Sequence, residues 1–123
     1  MKTYTVEVHD NGDKHWYLNG KLHREDGPAV EYTDGGKFWV RDGKYHREDG
    51  PAIEFANGDK YWYRDGELHR EDGPAIEYAD GDRLWYLNGI QLTEVEFNNR
   101  VKKNCEGKLV EVDGVKYKLV RVG

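Results

Sequence analysis

Hydrophobic and polar positions along this chain alternate in short runs, and the runs return every 23 residues. Lys37-Phe38-Trp39-Val40-Arg41 and Ala52-Ile53-Glu54-Phe55 are rich in aromatic and β-branched side chains and are bounded by Gly, Asp and Pro, which predicts short strands. Asn11-Gly12, Asp34-Gly35, Asn57-Gly58 and Asp80-Gly81 recur in the same step, as do Trp16, Trp39, Trp62 and Trp85. Gly, Asn and Asp tolerate the positive φ of tight hairpins, so the pattern predicts an antiparallel meander of hairpins. Such an array buries each unit's apolar surface only against its neighbours.

Register decides which face holds what. A three-residue loop Thr33-Asp34-Gly35 with a bulge at the glycine sets Glu31 opposite Lys37 and Val30 opposite Phe38. It also sets Glu54 opposite Lys60 and Glu77 opposite Arg83, three cross-strand pairs of opposite charge. One face then carries Val30, Tyr32, Phe38, Val40, Ile53, Phe55, Tyr61, Tyr63, Ile76, Tyr78, Leu84 and Tyr86, the expected core face. The other carries Ala29, Glu31, Lys37, Trp39, Arg41 and their equivalents. Two readings of the tryptophan row stay open: a ring packed over the Pro-Ala of its own unit, or an exposed Trp/Arg stripe that grips a partner.

The repeat breaks after Leu87-Asn88-Gly89. Thr93 followed by Glu96 forms a capping box, and Phe97 with Val101 makes an i,i+4 apolar pair, so a short helix is expected. Lys108 to Val120 then reads as a hairpin turning at Asp113-Gly114, with Glu111 opposite Lys116. At the other end Tyr4 to Val8 alternates like a strand that caps the first unit. The expected organisation is a β-repeat array over residues 1–92, three full repeats and a partial fourth, closed by a helix-and-hairpin cap over residues 93–123 in the same compact domain.

Composition narrows the class. With 37% hydrophobic and 35% charged residues the core is thin, and nine Tyr, four Trp and three Phe must supply much of its area. No run reads as a signal peptide or a membrane span, so a cytoplasmic protein is expected. Cys105 is alone and reads as a reduced bystander. Residues 1–92 carry 12 Lys/Arg against 19 Asp/Glu, a net −7, and residues 93–123 carry 7 against 5, a net +2. An acidic array disfavours nucleic acid and suits a protein partner with a basic surface.

The unit [Asn/Asp]-Gly-x-[Lys/Arg]-x-Trp-[Tyr/Val]-x-[Asn/Asp]-Gly-x-x-His-Arg-Glu-Asp-Gly-Pro-Ala, whose last seven residues begin at His23, His46 and His69, resembles a variant of the MORN repeat, a 23-residue β-hairpin unit. It is also similar to the repeats of the YwqK-type antitoxin family and to small proteins of tailed bacteriophages. The resemblance implies an all-β array serving as a contact surface without a catalytic set. It further implies a phage-encoded inhibitor of a host protein, through counter-defence such as anti-CRISPR activity or through host takeover. An antitoxin or immunity protein is the alternative reading, and a sponge for a signalling nucleotide the third.

The charged turn contains the residue types of metal and acid/base sites in His23, His46 and His69 with their neighbouring Glu and Asp. Equivalent residues of successive units lie roughly 10 Å apart at two strands per unit, too far to share an ion. No catalytic residue, metal or cofactor is therefore expected, and the repeated residues are read as what each unit needs to fold. Recognition is placed where units differ, on Arg41, Lys44, Tyr45, Arg64 and Glu67, together with Trp39 and Trp62 of the adjoining tryptophan row, a mixed polar and aromatic set. Arg41 and Arg64 are expected to start bulged loops at strand ends.

Overall fold

The computed structural model describes residues 3–105, 109–112 and 115–118, with side chains through Val101. Its strands are β1 (Tyr4–Val8), β2 (Lys14–Leu18), β3 (Lys21–Leu22), β4 (Val30–Glu31), β5 (Lys37–Phe38), β6 (Val40–Arg41), β7 (Lys44–Tyr45) and β8 (Ile53–Glu54). These are followed by β9 (Lys60–Tyr61), β10 (Tyr63–Arg64), β11 (Glu67–Leu68), β12 (Ile76–Glu77), β13 (Arg83–Leu87) and β14 (Ile90–Leu92). Helix α1 (Glu94–Cys105) and a hairpin of β15 (Leu109–Val112) and β16 (Val115–Lys118) complete the described chain. The fold is an all-β antiparallel meander with a helix at its C-terminal end. Among the described residues, no helix is long and apolar enough to cross a membrane.

Two kinds of turn alternate, each set by its own residues. At Leu18-Asn19-Gly20-Lys21 and its equivalents both central residues have positive φ, as Asp42 (49°) and Gly43 (76°) show, which is the two-residue type I′ turn. Arg41 and Arg64 therefore start two-residue turns, not bulged loops; the longer loops lie at the other end of each unit. There Gly35 has a φ of 100° and donates to the carbonyl of Tyr32 at 3.0 Å, closing the three-residue loop with its bulge. The predicted register follows: Glu31 pairs with Lys37, Glu54 with Lys60 and Glu77 with Arg83. Between units Lys14 pairs with Glu31, Lys37 with Glu54 and Lys60 with Glu77, so opposite charges alternate across the sheet from β2 to β13.

The strand through each middle tryptophan is broken in two, which the sequence pattern does not announce. Lys37–Phe38 pairs with β8 in the ten-stranded meander, whereas Val40–Arg41 pairs with β7 in a separate tip hairpin. At the break, Trp39 donates its N–H to the carbonyl of Ala52 at 2.7 Å and accepts from His46 N–H at 3.1 Å. One unit thus contributes to a long sheet and to a row of tips. The tips are joined by Gly43, Gly66 and Gly89, whose N–H groups donate to the carbonyls of Leu22, Tyr45 and Leu68 at 2.8–2.9 Å.

The core is narrow. Ala29, Ala52 and Ala75 are fully buried, and Val30, Val40, Ile53 and Ile76 nearly so. The remaining members of the expected core face are half-buried, and Phe55 is 40% exposed. Instead of lying beneath a second layer, these rings cover one another edge to face. The row runs from His15 through Tyr32, Phe38, Phe55 and Tyr61 to Tyr78 at centroid separations of 5.3–6.2 Å.

Both ends are closed as expected. β1 pairs along its length with β2. Thr93 and Glu96 exchange capping-box bonds, Glu96 N–H donating to Thr93 Oγ1 at 3.1 Å and Thr93 N–H to Glu96 Oε1 at 3.0 Å. Phe97, 4% exposed, seats the helix against β13 and β14. In the last hairpin Glu111 pairs with Lys116, while the turn residues Asp113 and Gly114, like the Cys105 side chain, lie outside the described residues.

Candidate binding surface on the repeat array

The seven repeated residues are tied into the fold in the same way three times. Arg47 lies over Trp39 with its guanidinium carbon 3.8 Å from the ring centroid, and Arg24 and Arg70 cover Trp16 and Trp62 at 4.0 and 3.9 Å. The fork of Arg47 is filled at the same time: Nε donates to Asp49 at 3.0 Å and Nη1 to the carbonyl of Pro51 at 3.1 Å, with Glu54 at 3.7 Å. Arg24 reaches Glu31 at 3.0 Å and Arg70 reaches Glu77 at 3.5 Å. Among the described residues, the sheet glutamates thus form ion pairs with the turn arginines and none with the lysines and Arg83 that stand opposite them in the strands. The charge pairing that indicated the register is real as a neighbourhood, but arginine takes the contact because its planar fork can serve carboxylate, carbonyl and ring together. The hydrogen bond from Arg24, and then its charge, hold the Asp26 carboxyl below the ordinary value.

The repeated glycine belongs to the same assembly. A β-carbon at Gly50 or Gly73 would stand 3.0 Å from the guanidinium carbon of Arg47 or Arg70, so a side chain there would push the arginine from its seat by a few tenths of an ångström. The repeated histidine joins one unit to the next. Asp42, Asp65 and Asn88 donate their N–H groups to Nδ1 of His23, His46 and His69 at 2.9–3.0 Å, each across 19 residues. All three rings are buried, and Nε2 of His46 and His69 lies 3.5 and 3.3 Å from Glu48 and Glu71. The sequence marks these histidines as part of the fold without revealing this joint. The fixed offset from each histidine to the next Asn/Asp-Gly turn is the signal that carries it.

Trp39 and Trp62 are half-buried, each ring sheltered by an arginine of its own unit. The residues that vary between units lie elsewhere. Arg41 stands opposite Lys44 across one tip hairpin and Arg64 opposite Glu67 across the next, and all four are exposed. No described residue makes an ion pair with Arg41, Lys44, Arg64 or Glu67 within 4.0 Å. The Lys44 stem lies along the neighbouring tip, 3.6 Å from where a β-carbon on Gly66 would be. Tyr45 is separated from this group, its ring turned to Tyr63 at 5.2 Å and Phe38 at 5.9 Å on the aromatic side.

Between the charged turns of the second and third units opens a cleft of about 510 Å³, with Trp62 and Arg64 among its lining and Arg47, Asp49, Arg70 and Asp72 on its walls. The structure therefore brings Trp62 and Arg64 into one recess, sets Arg41, Lys44 and Glu67 on the tips, and leaves Tyr45 out. No protein family, curated protein or solved structure matches this chain.

Proposed function

We propose that this protein is a non-catalytic repeat module, a MORN-like array, that binds and inhibits another protein through the tips of its middle units. The observation that carries this reading is the division of labour within the unit. Residues that repeat tie each unit to itself and to the next, while the positions held by Arg41 and Arg64 (Leu18 and Leu87 in the outer units) and by Lys44 and Glu67 (Lys21 and Ile90) vary along the array, and these four side chains are exposed side by side and form no ion pair among the described residues. A scaffold with exposed polar tips and an adjoining cleft lined by charged side chains and Trp62 has the make-up of a non-obligate interface. The acidic array steers a partner of basic net charge, and the cationic tips contact carboxylates on it.

The resemblance to phage-encoded repeats supports a host protein as that partner and counter-defence, such as anti-CRISPR activity, or host takeover as the setting. A neighbouring toxin gene would instead favour the antitoxin reading. Once a partner is isolated, titration of the Arg41→Glu/Arg64→Glu variant tests the surface. The reversal is expected to leave the melting temperature near that of wild type, because both side chains are exposed, and to weaken binding by about 2 kcal/mol or more. Wild-type affinity at moderate salt would exclude the tips and move attention to residues 93–123.

A further inference from the structure

The first hairpin departs from the rest at three positions that the fold brings together. Stepping by 23 residues, Glu7 stands where later units have Val30, Ile53 and Ile76. His9 stands where they have Tyr32, Phe55 and Tyr78, and His15 where they have Phe38, Tyr61 and Leu84. Three of the four apolar positions of this face are thus replaced by side chains that ligate metals, and the fourth, Tyr17, stands where later units have Val40, Tyr63 and Tyr86. Glu7 and His15 are cross-strand partners on β1 and β2, and His9 opens the bulged loop between them, its carbonyl accepting from Gly12 N–H at 2.8 Å.

Their ligand atoms lie within 4.8 Å of one another. His9 Nε2 is 2.9 Å from His15 Nδ1 and 3.8 Å from Glu7 Oε1. Two nitrogens held at about 2.0–2.1 Å by one tetrahedral ion stand about 3.3–3.4 Å apart, so the histidine pair needs to open by only a few tenths of an ångström. Each neutral ring would carry its remaining proton on the nitrogen facing away, as a metal-bound imidazole does. The aromatic row alone explains two rings packed at 4.7 Å, but it does not explain a carboxylate at a position that is otherwise Val or Ile.

We propose that Glu7, His9 and His15 bind one divalent cation of the zinc class. Two imidazoles and one carboxylate suit zinc and its first-row neighbours, and three protein ligands leave a coordination position for water or for a side chain of another molecule. The site is separate from the charged turns, whose histidines have Nδ1 engaged by backbone N–H groups.

Calorimetric titration of the untagged full chain with zinc chloride is expected to show one bound equivalent, retained in His46→Ala. His15→Ala should weaken it by about tenfold or more, since even supporting residues of metal sites are worth 10–100-fold. The variant Glu7→Val/His9→Tyr/His15→Phe restores the side chains of the second unit, keeps the aromatic row continuous and lacks the ligands. Zinc should raise the melting temperature of wild type and leave that of this variant unchanged. Should the triple variant fail to fold, the exposed and near-isosteric Glu7→Gln provides the same comparison and is expected to bind more weakly than wild type. The absence of a saturable equivalent in wild type, or undiminished binding in the ligand variants, overturns the site.

Discussion

At the scale of single residues, the unit rests on one arginine and one histidine. Arg47→Ala removes the cover of Trp39 together with the bonds to Asp49 and the Pro51 carbonyl. It is expected to cost about 1–3 kcal/mol by urea unfolding, with a shift in tryptophan emission. Arg47→Lys should recover little of this loss, because an ammonium cannot fill a planar fork. His46→Ala leaves the Asp65 N–H without its acceptor and is expected to cost about 1–3 kcal/mol, with or without chelator in the buffer. The nitrogen NMR shifts of His23, His46 and His69 should show the Nε2–H tautomer, since Nδ1 is the acceptor in each. That these residues are structural was legible from their unchanged repetition. Which atoms they engage was not, because the arginine's partners are a ring, a carboxylate and a carbonyl that come together only in the folded turn.

At the scale of elements, the register and both end caps could be read from the chain, since each rests on local chemistry: a glycine at positive φ, a carboxylate three residues after a threonine. The break at each middle tryptophan could not. Period-two alternation runs unbroken through Lys37 to Arg41, and nothing in it says that one half pairs with β8 and the other with β7. The helix start allows a further check. Thr93 lowers the Glu96 carboxyl below its ordinary value, chiefly through its backbone N–H. A carboxyl lowered by folding contributes stability that is present above its unfolded value, ordinarily 4.5, and is lost as pH falls through its folded value. Wild type should therefore lose stability in acid relative to Glu96→Gln, read from melting temperatures across that range. Thr93→Ala is expected to cost about 1 kcal/mol at neutral pH.

At the scale of the whole molecule, every internal joint repeats, so the unit is the natural quantum of the fold. Removing residues 34–56, one full period, brings the Asp65 N–H to the place that the Asp42 N–H holds beside His23. The shortened chain is expected to fold with the same β-sheet spectrum, a smaller denaturant slope and lower stability. The joints also point one way. Each histidine offers an acceptor that is filled only when the next turn arrives 19 residues later, so a chain emerging from the ribosome closes one joint per period, each completed unit presenting the docking point for its successor. Leu92 and Thr93 stand where the fourth histidine and arginine would be, and Thr93 starts a helix instead. The number of units is thus written as a stop signal: the last one offers no acceptor, and growth of the array ends there.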